Sequence, residues 1–298
     1  MPRRIATYTA SDWLRLRPLS QRYKTWLWDR LDRRYASGPA DDPQALQALL
    51  GRLSGKNVVA SIAFNAPWTI GWQLRFVGRN LENAAFLVAD NSSDPHARAA
   101  IAGLCAEAGV AYFQLPESRY QGRRYASRSH GLALNWTYRN VIRALGPMAW
   151  GFFDHDLFPT RPFDPETRLR GQPFYGALEQ RPGGAYLWPG YCFFSREADR
   201  DELLDFRQDW FLGLDTGGMN AGLLAGHPQF ASMTFAKSRS IGPRRNVAVV
   251  IDEIDWFDDC VHLGNASGWY RSNAEREPAL DPLLQQIYDG ALTAPALD

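Results

Sequence analysis

The spacing of apolar positions along this chain changes several times, and each change marks an element. Trp13, Leu16, Leu19, Tyr23, Trp26, Leu27, Leu31 and Tyr35 recur at roughly helical spacing. Pro18 interrupts the series, which predicts a helix over about 19–35. A short helix is predicted at 43–50, followed by a turn at 51–56. Residues 58–64 form a continuous apolar run stopped by Asn65-Ala66-Pro67, as expected of a strand buried on both faces. A helix at 68–77 with Trp72, Leu74 and Val77 inside, and a strand at 84–88, come next. Asp94 then caps a helix with Pro95 in its first turn, Ile101, Leu104, Cys105 and Ala108 as its inner stripe, and Gly109 at its end. A strand at 110–115 completes strand, helix, strand, helix, strand in under 60 residues. Crossovers this short build a parallel sheet covered by helices.

A loop rich in arginine (Arg119, Arg123, Arg124, Arg128) precedes a helix predicted at 130–145, with Leu134, Tyr138, Val141 and Leu145 on one face and Gly146-Pro147 as its stop. That helix feeds the apolar run 148–153, which ends abruptly in Asp154-His155-Asp156 before Pro159. Read as a strand, the run turns Asp154 and Asp156 to one side and His155 to the other. In open α/β sheets ligands sit beyond the carboxyl ends of the strands, and two carboxylates there would seat a hard cation with the phosphates it carries. The pattern alone says little. The chain has 22 Asp, and Asp199 and Asp201 make a second Asp-x-Asp in a polar stretch. Only the context, a buried strand ending in carboxylates, singles out the first pair.

The second half is less regular. A strand is predicted at 185–188 before Pro189-Gly190, an apolar piece at 191–194, and a helix from Ser195 to about 206. The segment Leu214-Asp215-Thr216-Gly217-Gly218-Met219-Asn220 leads into a small-residue helix ending near 225. Asp215 could cap that helix, and Gly217-Gly218 could let an anion approach backbone N–H groups. A late strand at 247–251 precedes the acidic Asp252-Glu253-Ile254-Asp255. Another strand end opens after His262 into a Gly-rich loop, Gly264 to Trp269, and a terminal helix covers 281–288.

Composition narrows the function classes. Of 298 residues, 33 are Lys or Arg and 32 are Asp or Glu, so no global field draws the chain to nucleic acid. Cys105, Cys192 and Cys260 are dispersed without a Cys-x-x-Cys pair, which predicts reduced thiols and a cytoplasmic setting. There is no apolar stretch long enough for a signal peptide core or a membrane span. The segment 12–36 has seven basic and three acidic residues among its aromatics. It could lie on the anionic inner face of a membrane. The mixed charges favour a helix docked on the domain's own flank.

The order of these pieces resembles the family 2-like glycosyltransferases of the A-type nucleotide-sugar fold. The resemblance runs from about Val58 to Trp269. It rests on the first strand ending at Asn65, on Val88-Ala89-Asp90-Asn91-Ser92-Ser93-Asp94, on Ser129-His130-Gly131 through Arg139-Asn140, and on the strand into Asp154-His155-Asp156. It implies an α/β fold with a mostly parallel nucleotide-sugar-binding sheet flanked by helices. A helical arm would cover 1–50 and a transferase domain 51–298, with donor half 58–160 and acceptor half 161–298. The implied activity is metal-dependent, inverting transfer of a hexosyl-type sugar from a nucleoside diphosphate sugar, UDP-sugar first among them, to a hydroxyl of a saccharide or glycolipid acceptor.

By the same resemblance, Asn65, Asp90 and Asp154 would meet the donor, with Gly264 and Trp269 closing over its diphosphate. Asp156, Asp154 and His262 would hold Mn²⁺ or Mg²⁺. Asp215 would be the base, although Leu214-Asp215-Thr216 replaces the family's acidic pair and leaves Asp252, Glu253 and Asp255 as rivals. Trp188, Tyr191, Gly217 and Gly218 would form the acceptor side, while the Trp188–Tyr191 aromatics could equally pack the core. The chemistry wants these types. A departing nucleoside diphosphate needs its charge neutralised, and an inverting attack needs a base for the acceptor proton. A nucleotidyltransferase on a similar frame would carry a Gly-rich basic loop after its first strand, where this chain has Asn65-Ala66-Pro67-Trp68. A non-catalytic scaffold would leave the two carboxylates as a solvated strand end.

Overall fold

A computed structural model describes residues 8–120, 125–198, 203–241, 254–264 and 273–293. Helices α1 (Ala10–Leu14) and α2 (Arg17–Ala36) come first, and α3 (Pro43–Leu53) leads into β1 (Asn57–Ala63). The expected alternation follows as α4 (Pro67–Asn80), β2 (Ala84–Asp90), α5 (Pro95–Glu107) and β3 (Ala111–Gln114). Then α6 (Ala126–Thr137) passes through one π-helical stretch, Tyr138–Ile142, into α7 (Arg143–Leu145). The rest comprises β4 (Ala149–Asp154), β5 (Leu157–Pro159), α8 (Pro165–Arg168), β6 (Phe174–Arg181), β7 (Gly184–Ser195), α9 (Ala221–Gly226), β8 (Ser238–Ile241), β9 (Ile254–Phe257), β10 (Cys260–Leu263) and α10 (Asn273–Tyr288).

Six strands form the main sheet in the order β3-β2-β1-β4-β7-β6. The first four are mutually parallel, and β7 and β6 extend the sheet antiparallel. Both faces are covered, which is why the strand sequences read as continuous apolar runs. Val58, Ala60 and Ile62 pack with Trp136, Trp150 and Phe206 on one face, while Val59 and Ala63 pack with Ile70, Leu74 and Ile101 on the other. A second, antiparallel sheet has the order β5-β10-β9-β8. Its Phe158, Trp256 and Val261 pack with Phe76 of α4 and with Leu284 and Ile287 of α10. The α/β class with a mostly parallel sheet is as expected; the second sheet is an addition to it.

Several elements differ from expectation for local reasons. Pro18 does not break α2 but sits in its first turn, where its missing N–H has no intrahelical partner to lose. The helix at 43–50 runs on to Leu53, and Leu49 and Leu53 lie in the main core, so a boundary at 50 cuts an element of the domain. The two pieces around Pro189-Gly190 are one strand, β7. Its register against β6 shifts between Gly176 and Leu178, and Pro189 falls opposite that irregularity, where a missing donor breaks no ladder. No helix starts at Ser195, which ends β7; residues 203–206 are irregular, with Leu204 and Phe206 buried. The strand at 247–251, with Asp252 and Glu253, lies outside the described residues, as do Asp199, Asp201 and Trp269. All three cysteines are free and buried. No described helix is long and apolar enough to cross a membrane.

Candidate functional site

Register aligns the carboxyl ends of the three central strands. Ile62 pairs with Asp154, and Ala63 with Asp90. The chain therefore leaves β1, β2 and β4 along one edge. Asn65, just past β1, has a left-handed backbone (φ 49°), a conformation Asn tolerates better than most side chains. Its Oδ1 accepts from Ser93 N and Asp94 N (3.0 Å each), and its Nδ2 donates to Ser93 Oγ at 2.9 Å. It thus ties the loop after β1 to the loop after β2. Asn91 Nδ2 donates to Ser129 Oγ at 3.0 Å, tying the second loop to α6.

Asp90 is placed differently from the ligand-facing role expected of it. It is fully buried. Its Oδ1 accepts from Ser92 N at 2.8 Å and its Oδ2 from Tyr112 OH at 2.9 Å. Both oxygens serve the fold, so Asp90 shapes the loop instead of presenting a carboxylate to a donor.

After Asp154 the strand does not continue. Residues 155–156 form a turn, and β5 leaves the main sheet to pair with β10 in the second sheet. The turn cancels the alternation that had sent His155 to the opposite face from Asp154 and Asp156. One ligand atom from each of Asp154, His155 and Asp156 lies within 4.8 Å of the others. The turn is held from below by Gln73 of α4, a completely buried side chain. Its Nε2 donates to Asp154 O at 2.7 Å and to Leu157 O at 3.0 Å, bracketing the three clustered residues. Leu263 N donates to Asp156 O at 3.0 Å, which fixes the other side.

His262 enters from β10. It stands in register opposite Leu157 of β5 and Asp255 of β9. Its Nε2 is 3.2 Å from Asp156 Oδ1 and its Nδ1 3.5 Å from Asp255 Oδ2. Burial works against charge on this imidazole, but Asp156 and Asp255 outweigh it and push its pKa up to about 10. The same contact holds the Asp255 carboxyl below its usual range, with its hydrogen bond to His262 the largest cause.

The donor set fits a divalent cation. Two carboxylates and an imidazole suit Mn²⁺, and Mg²⁺ through the oxygens. Nδ1 of His155 is buried and has no hydrogen-bond partner, a state a buried ring nitrogen rarely keeps without a ligand. His155 and Gln73 are the residues that sequence reasoning missed. Nothing in the local pattern marks either, because the turn and the glutamine's carbonyl partners come from separate elements.

His130, near the start of α6, faces the same cluster. Burial holds its pKa below the ordinary imidazole range, partly offset by Asp154; His155 lowers it further, and Asp215 and Asp156 raise it. Asp215 is thus near enough to the cluster to act on His130 electrostatically. Its side chain is exposed and its Oδ1 accepts from Thr216 N at 2.8 Å. It is not the cap of α9, whose N-cap is Asn220.

The acceptor-side residues divide. The Trp188 ring lies 4.8 Å from that of His262, edge to face, beside the cluster. Tyr191 is fully buried, stacked on Phe153, and donates to Asp258 Oδ2 at 3.0 Å, so it packs the core and offers no face to a sugar. Gly217 N donates to Phe206 O and Gly218 N to Asp215 O, both at 2.8 Å, so neither N–H awaits an anion. Gly217 is required for packing. Its φ is 91°, and a Cβ there would come within 2.6 Å of Leu187 O. Gly264, in the turn after β10, is half-buried.

No protein-family model matches the chain, and no curated protein matches it. Solved structures that resemble parts of it include the mannosyltransferase PcManGT from Pyrobaculum calidifontis in complex with GDP-Man and Mn²⁺. That likeness has 13% identity and a TM-score of 0.33, over 58% of this chain and 52% of that one. Glucosyl-3-phosphoglycerate synthase from Mycobacterium tuberculosis, in complex with Mn²⁺, UDP and glucosyl-3-phosphoglycerate, matches at 15% identity and TM-score 0.30, over 51% of this chain and 61% of that one. The apo form of the bifunctional glycosyltransferase WbbM matches at 12% identity and TM-score 0.33, over 48% of this chain and 32% of its own. The matched part thus spans a third to three fifths of those chains. Likenesses at this level transfer no residue roles.

Proposed function

We propose that this chain is a metal-dependent glycosyltransferase of the A-type nucleotide-sugar fold, moving a sugar from a nucleoside diphosphate sugar to an acceptor hydroxyl with inversion. One observation carries the reading: Asp154, His155 and Asp156 converge within 4.8 Å at the carboxyl edge of a parallel sheet, where such folds bind nucleotides. Asp156, Asp154 and His155 would hold Mn²⁺ or Mg²⁺. His262 would orient Asp156 from the second sheet or join the ligands once deprotonated. The bound cation would neutralise charge on the departing diphosphate.

The loops tied together by Asn65 and Asn91 face the nucleoside end of the donor in this reading, and Gly264, just after His262, and Trp269 would serve its diphosphate. Trp188, beside His262, offers an aromatic wall for a sugar ring. Asp215 takes the proton of the acceptor hydroxyl as its oxygen attacks the anomeric carbon and the bond to the diphosphate breaks on the opposite face. His130 feels both this base and the metal group and, held neutral, can donate or accept a hydrogen bond there.

Calorimetric titration tests the donor site. UDP, GDP, dTDP and CDP are each titrated with Mn²⁺ and with chelator, into wild type and the Asp156→Ala variant. Binding of one nucleotide that requires both Mn²⁺ and Asp156 is the expected result. Absence of nucleotide binding under every condition overturns the reading in favour of a non-catalytic module.

A further inference from the structure

We propose that the outward face of α2, continued by α1, is a docking surface for an anionic lipid bilayer. The surface is independent of the sugar-transfer reading. Along α2, Leu19, Arg22, Tyr23, Trp26, Arg30, Arg33 and Arg34 recur at spacings of three and four and are all exposed. Tyr23 is 61% exposed, Leu19 60% and Trp26 51%. Trp13, Leu14, Arg15 and Leu16 add to the exposed set from α1 and the link that follows it.

The charges that look mixed in sequence are segregated in space. The only acids between Tyr8 and Ala36 are Asp12, Asp29 and Asp32, and each is engaged by an arginine that does not belong to this exposed set. Asp32 pairs with Arg128 of α6 at 2.7 Å and with Arg207 at 3.2 Å, and Asp29 pairs with Arg207 at 2.8 Å. Asp12 accepts from Thr9 N, completing the capping box in which Thr9 is the N-cap of α1, and meets Arg17 at 2.9 Å. Near the end of α2, Tyr35 OH donates to Pro116 O at 2.7 Å. The helix is therefore held to the domain by its acidic side, so the aromatic and basic side cannot turn inward.

Charge complementarity selects the occupant. Four exposed arginines, with Asp29 and Asp32 beside them already neutralised by Arg128 and Arg207, want an anionic surface, and Trp, Tyr and Leu between them want a partly apolar one. The headgroup boundary of an anionic bilayer supplies both at once. Its apolar depth takes the aromatic rings, and the guanidinium groups reach up to the phosphates. A second copy of the same face would set arginines against arginines.

The experiment is co-sedimentation of the full chain with vesicles of pure phosphatidylcholine and of phosphatidylcholine mixed with phosphatidylglycerol, at low and high salt. Two variants accompany the wild type: Tyr23→Gln with Trp26→Gln, and Arg30→Gln with Arg33→Gln and Arg34→Gln. Far-UV circular dichroism confirms that each is folded. Wild type should bind the anionic vesicles, with binding weakened by salt and at least about tenfold weaker on neutral ones. The arginine variant should lose on the order of a hundredfold in partitioning, and the aromatic variant should also lose binding. The salt series on wild type tests the proposal even if a variant misfolds. Failure of wild type to bind anionic vesicles overturns it, as does binding that neither salt nor the variants change. Self-association that the aromatic variant abolishes, without vesicle binding, overturns it in favour of a protein interface.

Discussion

Asp156 and His262 meet across the junction of the two sheets, with Oδ1 and Nε2 3.2 Å apart. They are 106 positions apart in the chain. The contact exists because β5 leaves the main sheet and pairs with β10. An Asp156→Asn variant keeps the shape of the side chain but removes its charge. Metal-dependent nucleotide binding should fall at least about a hundredfold, read by calorimetry with Mn²⁺. Unchanged affinity would remove Asp156 from the metal site.

Gln73 supports the same turn from inside the protein. Replacing it with Leu leaves Asp154 O and Leu157 O without their donor in a buried place. The loss should be about 2–4 kcal/mol of stability, from urea denaturation, on the basis of roughly 1–3 kcal/mol per buried group left unsatisfied. Metal affinity should weaken along with stability, because the three ligating residues lose their common brace. A variant with native stability and native metal affinity would show that the turn holds itself.

Asp215 acts electrostatically on His130, which also feels Asp154 and Asp156, and it has an exposed carboxylate. Asp215→Asn keeps an oxygen to accept from Thr216 N. Donor binding should be unchanged, while turnover should fall by about two to four orders of magnitude, the scale of a lost general base. Retained turnover would move that role to Asp255, the nearest described rival.

Arg207 joins three carboxylates, Asp29, Asp32 and Asp205, and locks α2 to the domain. Arg207→Ala leaves these carboxylates partly buried without their shared cation. It should cost about 3 kcal/mol or more, the scale of breaking a buried pair. Limited proteolysis should then cut within 10–36 faster than in wild type. Equal cleavage rates would mean that Arg128 and the Tyr35–Pro116 hydrogen bond hold the helix without Arg207.

Acid should weaken the same lock. Burial raises the pKa of Asp205, but Arg207 and Asn135 outweigh it and hold the carboxyl below its ordinary 3.8. A native pKa below the unfolded one gives stability that is present above about pH 4 and lost as pH falls through the native value. Stability measured by urea denaturation should therefore drop below about pH 4. The drop should be shallower in an Asp205→Asn variant, and an identical slope would place the acid sensitivity elsewhere.

The sequence by itself determined the elements whose signals are local. Asp94 with Pro95 and Gly109 bounds α5 because caps act within one turn, and β1 reads as a strand because both its faces are buried. The end of β4 at Asp154 was legible for the same reason, as an apolar run meeting carboxylates. Tertiary structure decided what those elements bring together. His155 joins Asp154 and Asp156 only because β5 departs to another sheet, and Gln73 reaches the Asp154 and Leu157 carbonyls from a helix 81 positions before Asp154. Pro189 passes through a strand because it falls among the unpaired residues of β7 where the register against β6 shifts. The acids of α2 look mixed with its arginines until Arg128 and Arg207 draw them to one side. Spacing along a chain fixes which residues share a face of their own helix or strand, but the partner across that face comes from distant sequence and is known only once the chain has folded.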